Sequence, residues 1–577
     1  MLTRVNSIIR GHSAVTMDVI NSILCLLEKN LTPVIPLRSS ISASGDLSPL
    51  SYIAGAIEGN PDIFIRTGPE HDYKIITSPE ALKLAGLSPV IFAPKEGLGL
   101  LNGTAVSCSA ASLALHETNQ LTILSQMLTA MGCEALLGTA ESFHPFIANV
   151  RPHRGQREVA QNITSFLSGS KLARGAEGSQ AVDTEGLAQD RYALRTSSQW
   201  IGPQLEDLLL ATEQVTTELN STTDNPLVDV AGGHIHHGGN FQAASVTSAM
   251  EKARLSLQMI GKLLFAQATE MINPAMNKGL PPNLAADDPS ISFTCKGIDI
   301  AMAAYMSELA FLANPVSSHV QSAEMHNQAV NSLALISARY TMQAVELLGI
   351  MSASYLFVLC QAVDLRVIQL RFFADMKPVV EKLTRDAIAS GDDAPGSNNP
   401  VAKAEQDRLV AAVWDKVVSV WDGSTSCDLA ERCAKAAEAA STTLMTGALA
   451  QQTAAAPLAL FRLLGGLPTY KTAIHSACEA TYTAVRADLF QNAPQRTPAY
   501  LGRASSLLYT FVRRTLNVPF HRGIVEHPLQ PVAEGQSSRK PDERRTIGHD
   551  VSVIYAAIRD GTLFGAVVKG AKEAAER

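Results

Sequence analysis

The tripeptide Ala43-Ser44-Gly45 lies in a polar loop and carries the residue types from which a chain can make its own electrophile. If the backbone bends tightly, the amide nitrogen of Gly45 can attack the carbonyl carbon of Ala43, because glycine lacks the Cβ that would block the approach. Loss of water then closes an imidazolone ring, and loss of the Ser44 hydroxyl leaves an exocyclic methylidene. The product, methylidene-imidazolone (MIO), is an electrophile that needs no external cofactor.

The tripeptide is a weak signal by itself, because at average composition it occurs by chance in roughly one chain of this size in five to ten. The simpler interpretation is a flexible turn before a helix that opens at Ser48-Pro49. Serine suits the N-cap of such a helix, and proline suits its first position. In the MIO interpretation the same helix points about half a positive charge at the loop, which favours attack by electron-rich groups there.

Further motifs follow in order along the chain. They lie at residues 4–7, 10–13, 41–53, 97–104, 189–195, 221–226, 238–242, 296–297 and 324–328. Together they resemble the motifs of the aromatic amino-acid ammonia-lyases, over about residues 1–370 and more loosely beyond. The similarity is greatest to the fungal-type phenylalanine ammonia-lyases. It implies an all-α fold, with a long-helix central bundle of the ammonia-lyase type and a C-terminal helical extension, and it makes Ala43, Ser44 and Gly45 catalytic.

Several side chains in these motifs have chemistry that suits an amino-acid substrate. The guanidinium of Arg195 can pair with a carboxylate through two hydrogen bonds, and a surface ion pair is the alternative. The amides of Asn102 and Asn225 can donate hydrogen bonds to an MIO carbonyl oxygen and to the carboxylate, although Asn102 can also cap a helix. The Tyr192 hydroxyl can polarise the MIO oxygen or carry a proton, or the ring can simply pack.

Glu324, Asn327 and Gln328 are spaced to share one helix face, where a carboxylate can accept the amine proton or hold departing ammonium. Spacing alone favours a solvated face, whereas the resemblance places the three at the site. It also places Gln189 at the substrate and Lys296 near the amine and carboxylate. Four further residues match the family's aromatic-ring pocket, although by spacing they are ordinary core: Leu47, Leu98, Phe241 and Ile300.

The resemblance implies non-oxidative deamination of L-phenylalanine to trans-cinnamate and ammonia. Gln242 and the run His326-Asn327-Gln328 favour phenylalanine over histidine as the substrate. A tyrosine ammonia-lyase and an aromatic aminomutase, which re-adds the same amine, are the close alternatives. The alternative of another class is a truncated, non-catalytic subunit that assembles with an intact paralogue.

The family carries a catalytic loop tyrosine, and the residues that separate phenylalanine from tyrosine, upstream of the motif that begins at Arg4. We expect the chain as given to lack that segment, as a fragment, a mispredicted gene start or an inactive relative. A positioned base contributes roughly 10²- to 10⁴-fold to a rate. The chain alone is therefore expected to be a poor catalyst, with Tyr192 the first candidate for a substitute base.

Composition limits the partners. Only 18% of the 577 residues are charged, 46% are hydrophobic, and the net charge is −7. No basic stripe stands out, which argues against a nucleic-acid partner. The shortage of charge predicts burial between subunits, although an Ala-rich monomer is the alternative. In the family each site collects residues from three chains of a homotetramer, so Ala43-Ser44-Gly45 and Glu324 are not expected all to meet within one chain.

The eight cysteines are widely spaced and form no Cys-x-x-Cys pair, which is typical of reduced thiols. The first residues contain no apolar signal core. No uncharged apolar run reaches the roughly 20 residues that a membrane helix needs. We therefore expect a cytoplasmic protein without a membrane partner.

Cofactors other than MIO find little support. His234, His236 and His237 with Asp229 nearby indicate a metal site only weakly, because their Gly-rich setting is typical of a turn and the family uses no metal there. We expect no metal. A phosphate-binding Gly-rich loop after a strand is missing, which leaves nucleotide binding unsupported. Lysine-bound pyridoxal phosphate is another electron sink for amino acids, but an almost all-α chain argues against its folds.

Helical periodicity dominates the elements that must position these residues. Three regions are predicted: an MIO-bearing region at 1–100, a central helical bundle at 101–374, and a C-terminal helical region at 375–577 with a shielding-type insertion at about 395–545. Short strands are expected at 73–76 and around 227–230, a linker at 390–399, and a mobile loop at 534–545. The predicted helices lie at 17–27, 104–137, 242–271, 297–312, 325–374, within 403–516, and at 551–572.

Overall fold

The computed structural model describes residues 1–176, 189–316, 318, 322–389, 400–450, 457–529, 531 and 543–575. It is 68% helical with 4% strand, which confirms the all-α class. Apolar side chains recur at helical spacing throughout, so each helix can bury one face or, at the centre of the bundle, its whole surface.

The N-terminal region combines short helices with a small sheet around one apolar cluster. Its core holds Val5, Ile20, Ile23, Leu50 and Ile57, each almost fully buried. The three strands pair antiparallel in the order β1-β2-β3. The elements are α1 (Leu2–Ile8), α2 (Met17–Glu28), β1 (Thr32–Pro33), α3 (Leu47–Glu58), β2 (Phe64–Thr67), β3 (Lys74–Thr77), α4 (Ser78–Ala85) and α5 (Glu96–Leu101).

The central bundle is built on three long helices, α6, α11 and α13, which pack against one another. The longest, α13, has 56 residues and is about 84 Å long. Its middle part, from Met351 to Gln369, is buried at every position. The elements are α6 (Ala105–Ala135), α7 (Pro145–Asn149), α8 (Arg154–Phe166), α9 (Tyr192–Arg195), α10 (Ser197–Leu219), β4 (Leu227–Asp229), β5 (His234–His236), α11 (Ala244–Ile272), α12 (Lys296–Leu312) and α13 (Ala334–Ala389).

The C-terminal region packs on the second half of α13. The ring of Phe372 stacks on Trp421 with 4.2 Å between centroids, and buried Asp364 pairs with Arg513 at 2.7 Å. These contacts fix the extension to the bundle through apolar and charged groups together. The helices are α14 (Pro400–Gly423), α15 (Leu429–Ala450), α16 (Pro457–Arg496), α17 (Arg503–Thr510), α18 (Ile547–Arg559) and α19 (Thr562–Ala575).

Short turns of other helical types join these elements. A π-helical turn follows α17 at Phe511–Thr515. The 3-10 turns lie at Ala140–Phe143, Pro282–Leu284, Thr497–Tyr500 and Ile524–Glu526.

Several predicted boundaries need correction. The long helix predicted at 325–374 begins at Ala334 and ends at Ala389. It therefore crosses the proposed boundary at 374, and the division into three regions stays a prediction. The single helix predicted at 551–572 is two helices, because the chain turns at Gly561 with a φ of +82°. The linker at 390–399 and most of the loop at 534–545 fall outside the described residues.

The strands were only partly predicted. The structure confirms β3 and β4 within one residue. It adds β1 and β2, which were not predicted. It also corrects the turn expected around His234, since His234–His236 form β5 and pair antiparallel with β4. Alternating polar side chains on so short a strand give no hydrophobic signal.

Two described helical stretches are long and apolar enough to cross a membrane by length and composition, Glu96–Ala135 and Ala334–Ala389. A third would pass only if α18 and the first part of α19, bent by 73°, formed one span. Polar and charged side chains interrupt the apolar residues of both long stretches, so no long uncharged apolar run marks them in the sequence. In the two long stretches 61% and 83% of the most apolar window is buried inside the molecule, so their apolar side chains form the bundle core.

Candidate active site

The Ala43-Ser44-Gly45 segment forms a tight turn at the start of α3. Ser42 and Gly45 have positive φ angles of 52° and 74°, and the Gly45 amide lies in a buried environment. A Cβ added to Gly45 would overlap the backbone of Gly103, so only glycine fits. The amide of Asp46 donates to the Gly103 carbonyl at 2.7 Å. The turn is thus pressed against the segment that precedes α6.

The carboxylate of Asp46 organises this turn from within. It is fully buried and accepts hydrogen bonds from the Ser40 hydroxyl at 2.9 Å, the Ser42 hydroxyl at 3.0 Å and the Ser107 amide at 2.7 Å. Burial raises the pKa of Asp46, and these hydrogen bonds oppose the rise. Asp46 is also the N-cap of α3, which begins at Leu47 and therefore one residue before the predicted N-cap Ser48.

The start of α13 holds the other side of the turn. The hydroxyl of Ser332 donates to the carbonyl of Ser42 at 2.8 Å, and the amide of Leu335 donates to the Ser42 hydroxyl at 3.2 Å. The Leu333 amide donates to the carbonyl of Ile41 at 3.0 Å. Residues almost 300 positions apart in sequence therefore fix one side of the electrophile-forming segment.

Asn102 and Asn225 lie together beside the turn. Asn102 Nδ2 donates to the carbonyl of Asn225 at 3.0 Å, and Asn102 Oδ1 is buried without a hydrogen-bond partner among the described residues. Asn225 Oδ1 accepts from the amide of Gly238 at 2.6 Å. A buried amide oxygen without a partner costs free energy unless a bound group donates a hydrogen bond to it. Asn102 Oδ1 therefore suits a ligand that carries a donor, such as an ammonium group.

Gln328 is the member of the 324–328 motif that meets the turn, with Nε2 2.8 Å from the Ser44 hydroxyl. The motif is not helical, which corrects the prediction of a shared helix face. Glu324, Met325 and His326 all have positive φ angles, and an isolated bridge between Ala323 and Gln328 closes the loop. Glu324 Oε2 accepts from Asn327 Nδ2 at 2.9 Å. Gln328 therefore reaches Ser44 within one chain, whereas the expectation that Glu324 and Ala43-Ser44-Gly45 do not all meet in one chain stays a prediction.

A second group of predicted residues lies elsewhere in the chain. Arg195 is half-buried in the last turn of α9, with its guanidinium 6.0 Å from the ring of Tyr192, which is 68% exposed. Arg195 Nε is buried without a partner among the described residues. Gln189 is exposed just before α9. Lys296 is the first residue of α12, with its ammonium 4.8 Å from the ring of Phe293.

Helix α11 separates the two groups. Near its start, Thr247 donates to the carbonyl of Ser332, the residue that holds Ser42. Near its end, Gln267 donates to the carbonyl of Ala193 in α9. These positions are 20 residues apart in one helix, which is about 30 Å. One chain therefore does not place Arg195 beside its own Ser44.

The predicted aromatic-ring pocket is open in the single chain. Leu47 is 38% exposed and Leu98 is 45% exposed beside the turn, while Phe241 is half-buried. Ile300 belongs to the second group on α12 and is 65% exposed. These side chains are not the ordinary core that spacing alone indicated.

The histidine cluster forms part of an exposed hairpin. His236 Nε2 lies 3.9 Å from Asp229 Oδ2 across the strand pair, and both side chains are largely exposed. In the residues that the structure describes, no group of three or more His, Cys, Asp or Glu side chains is arranged to hold a metal ion.

Comparison with known proteins decides the family. A family model described as aromatic amino acid lyase matches residues 1–386, two thirds of the chain. The chain belongs to the aromatic amino acid lyase family. This confirms the resemblance inferred from the motifs.

Individual members are similar along almost the whole lyase chain. The phenylalanine ammonia-lyase lenB of Aspergillus lentulus is 51% identical, over 97% of this chain and 76% of the relative. The L-beta-phenylalanine-forming phenylalanine aminomutase of Talaromyces islandicus is 47% identical, over 98% and 76%. Two crystal structures of phenylalanine ammonia-lyase from the yeast Rhodosporidium toruloides have TM-scores of 0.88 and 0.87, at 45% and 44% identity. Both alignments cover 98% of this chain, and they cover 82% and 81% of the two crystallised chains.

The sequence did not indicate the buried residues that contact the backbone of the site segments. Asp46 and Arg4 both lie inside recognised motifs but received no role. Arg4 is fully buried and contacts the segment carrying Asn102, and Lys95 pairs with buried Asp224 at 2.8 Å beside Asn225. Arg4 shares helix α1 with the polar residues Thr3, Asn6 and Ser7, so the sequence gives no signal that its charge is buried.

Proposed function

We propose that this aromatic amino acid lyase is a phenylalanine ammonia-lyase, which converts L-phenylalanine to trans-cinnamate and ammonia with an MIO group formed from Ala43-Ser44-Gly45. The observation that carries the proposal is the Gly45 turn, which is closed against Gly103 where no side chain fits. The identity of 51% to a phenylalanine ammonia-lyase supports the substrate.

The residues around the turn fit an MIO group. The Gln328 amide next to the Ser44 hydroxyl can donate a hydrogen bond to the segment, and the buried, unpartnered Asn102 Oδ1 remains as an acceptor for a donor of the substrate. When formed, the group supplies an electrophilic methylidene that makes the substrate amine a better leaving group. The remaining steps fall to side chains, which bind and orient the substrate, and to a base that takes the benzylic proton, for which the Tyr192 hydroxyl is the candidate in this chain.

The substrate is held at both ends. The fork of Arg195 binds the carboxylate, because its Nε has no partner among the described residues and a carboxylate accepts two parallel hydrogen bonds. The carboxylate of Glu324 takes a proton from the substrate ammonium and holds it at Oε2, an atom that Asn327 already orients. Tyr192 and Lys296 flank the carboxylate end. The phenyl ring packs on Leu47, Leu98, Phe241 and Ile300.

We propose that the complete site is formed between chains of a homotetramer. The separation of about 30 Å along α11 between the Ser44 group and the Arg195 group supports this. So does the exposure of Tyr192, Leu98 and Ile300 in the single chain, since a pocket for an aromatic ring must be enclosed. A second chain that docks its α9 and α12 on the Ser44 turn satisfies both requirements.

The test is product analysis with the purified full chain. Incubation with L-phenylalanine is expected to release trans-cinnamate and ammonia in equal amounts, with L-tyrosine a poorer substrate. β-Phenylalanine as the main product would make the chain an aminomutase, and coumarate from tyrosine at a higher kcat/KM would make it a tyrosine lyase. Absence of all three products, in a sample shown by mass to carry MIO, would contradict the proposal.

A further inference from the structure

The guanidinium of Arg4 lies directly behind the segment that carries Asn102. It is 0% exposed and donates to the carbonyl of Leu100 at 2.9 Å, to that of Asn102 at 2.9 Å, and to that of Gly99. A further contact joins its Nη1 to the carbonyl of Thr223 at 3.3 Å. All these acceptors are backbone carbonyls of the two segments that bear Asn102 and Asn225.

Burial of the Arg4 charge costs free energy, and the hydrogen bonds to the backbone carbonyls offset this cost. Burial lowers the pKa of Arg4 to about 10, and the nearby carboxylate of Asp224 opposes the fall. Asp224 is itself paired with Lys95. A buried charge whose donors all find carbonyls holds those carbonyls in one geometry, because any shift leaves a charged donor without a partner.

Gly103 transmits this geometry to the electrophile-forming turn. A Cβ on Gly103 would overlap the Arg4 guanidinium on one side, and a Cβ on Gly45 would overlap the Gly103 backbone on the other. The Gly103 carbonyl also accepts from the Asp46 amide at 2.7 Å. Arg4, Gly103 and Gly45 are therefore stacked without spare space between them.

Ring closure needs this support because it brings two backbone atoms into bonding distance. A bond forms between the Gly45 nitrogen and the Ala43 carbonyl carbon, and the carbonyl oxygen leaves as water with the amide protons of Ser44 and Gly45. The Ser44 hydroxyl then leaves as a second water with the Ser44 α-proton. No oxidant or reductant is required, so the rate depends on how firmly the turn is held in the bent geometry.

We propose that Arg4 is a positioning residue for this cyclisation: its guanidinium fixes the 99–102 segment and thereby holds Gly103 against Gly45. The inference rests on the proposed MIO function. Arg4 is fully buried, so it acts through Gly103 and does not touch the substrate.

The test is the rate at which the MIO segment matures in Arg4→Lys. Trypsin releases this segment as peptide 39–66, which does not contain the substituted position. Its mass falls by two waters on maturation, so the mature fraction can be followed at fixed times after the start of expression. Lysine keeps the charge but cannot reach the same carbonyls together. Loss of one charge-assisted hydrogen bond corresponds to maturation slower by on the order of ten-fold.

Arg366→Lys is the matched control. Arg366 is also 0% exposed, also has its pKa lowered to about 10 by burial, and donates to three backbone carbonyls where Arg4 donates to four; the three are those of Ala135, Asn277 and Lys278. These carbonyls lie outside the segments that contact the Gly45 turn. Its substitution is expected to lower the melting temperature while peptide 39–66 matures at the unaltered rate.

The outcomes separate the two ideas. If folded Arg4→Lys matures as fast as the unaltered chain, the role of Arg4 is wrong while MIO formation stands. If the unaltered chain keeps its encoded mass, the MIO proposal itself fails. Should Arg4→Lys not fold, Thr223→Val decides, because it removes only the hydroxyl that accepts from Arg4 Nη1 at 3.4 Å and from the Thr104 amide at 3.3 Å. Slower maturation in that folded variant supports the proposal, and an unaltered rate overturns it.

Discussion

Recognition of the substrate carboxylate can be tested at Arg195. Its Nε is buried without a partner among the described residues, so a bound carboxylate would complete its hydrogen bonding. The change Arg195→Lys keeps the charge but replaces a planar fork by a single ammonium. Loss of one hydrogen bond to a charged group costs about 1.5–3 kcal/mol. We therefore expect kcat/KM to fall roughly 10- to 150-fold.

The assay combines steady-state deamination of L-phenylalanine with inhibition by two compounds. trans-Cinnamate carries the carboxylate, whereas cinnamyl alcohol lacks it. Inhibition by trans-cinnamate should weaken by a similar factor in Arg195→Lys, while inhibition by cinnamyl alcohol should stay the same. Arg191→Lys, on an exposed residue four positions earlier, is the matched control and should stay within about two-fold. An unchanged kcat/KM in Arg195→Lys, or equal weakening of both inhibitors, would refute the carboxylate contact.

Two further predictions concern assembly and pH. Ser44→Ala and Arg195→Ala should each be inactive. If each site takes these two residues from different chains, co-expression of the two variants should give mixed assemblies with up to about one quarter of the activity. No recovery of activity would contradict a shared site. Burial raises the pKa of Glu134 to about 7 where its carboxylate accepts from the Gly502 amide. The raised pKa favours the folded state fully below the unfolded pKa near 4.5, and this contribution of about 3 kcal/mol is lost as the pH rises to 7. Glu134→Gln cannot ionise and should not show this loss. The difference between its melting temperature and that of the unaltered chain should therefore increase by about 2–3 °C from pH 5 to pH 8 in scanning fluorimetry. A difference that stays constant would show that Glu134 does not titrate in that range.

Much of the fold follows from periodicity, because each long helix repeats its apolar residues with the helical period. The positions of α2, α6, α11 and α12 were predicted within two residues for this reason. The start of α13 was not, because three successive residues with positive φ at 324–326 interrupt a sequence that looks helical. Backbone conformations of this kind have no signature in the residue types unless glycine or asparagine is used.

The site was predictable as a set of residues but not as an arrangement. Ser44, Asn102 and Arg195 could be identified from their motifs, each within a few residues of chain. Their separation could not, because it depends on which end of α11 each group contacts, and the two contact points are about 30 Å apart along that helix. Arg4 and Asp46 escaped notice because a buried charge and a surface charge look alike in sequence.

Mature mass is the most direct test of the central claim. Peptide 39–66 from the purified, folded chain should be lighter than its encoded mass by two waters, and Ser44→Ala should prevent the loss of the second water. Treatment with borohydride should then inactivate the unaltered chain as it adds to the methylidene. The encoded mass in a folded sample, with trans-cinnamate still produced from phenylalanine, would contradict the account, since the reaction would then proceed without the electrophile of Ala43-Ser44-Gly45.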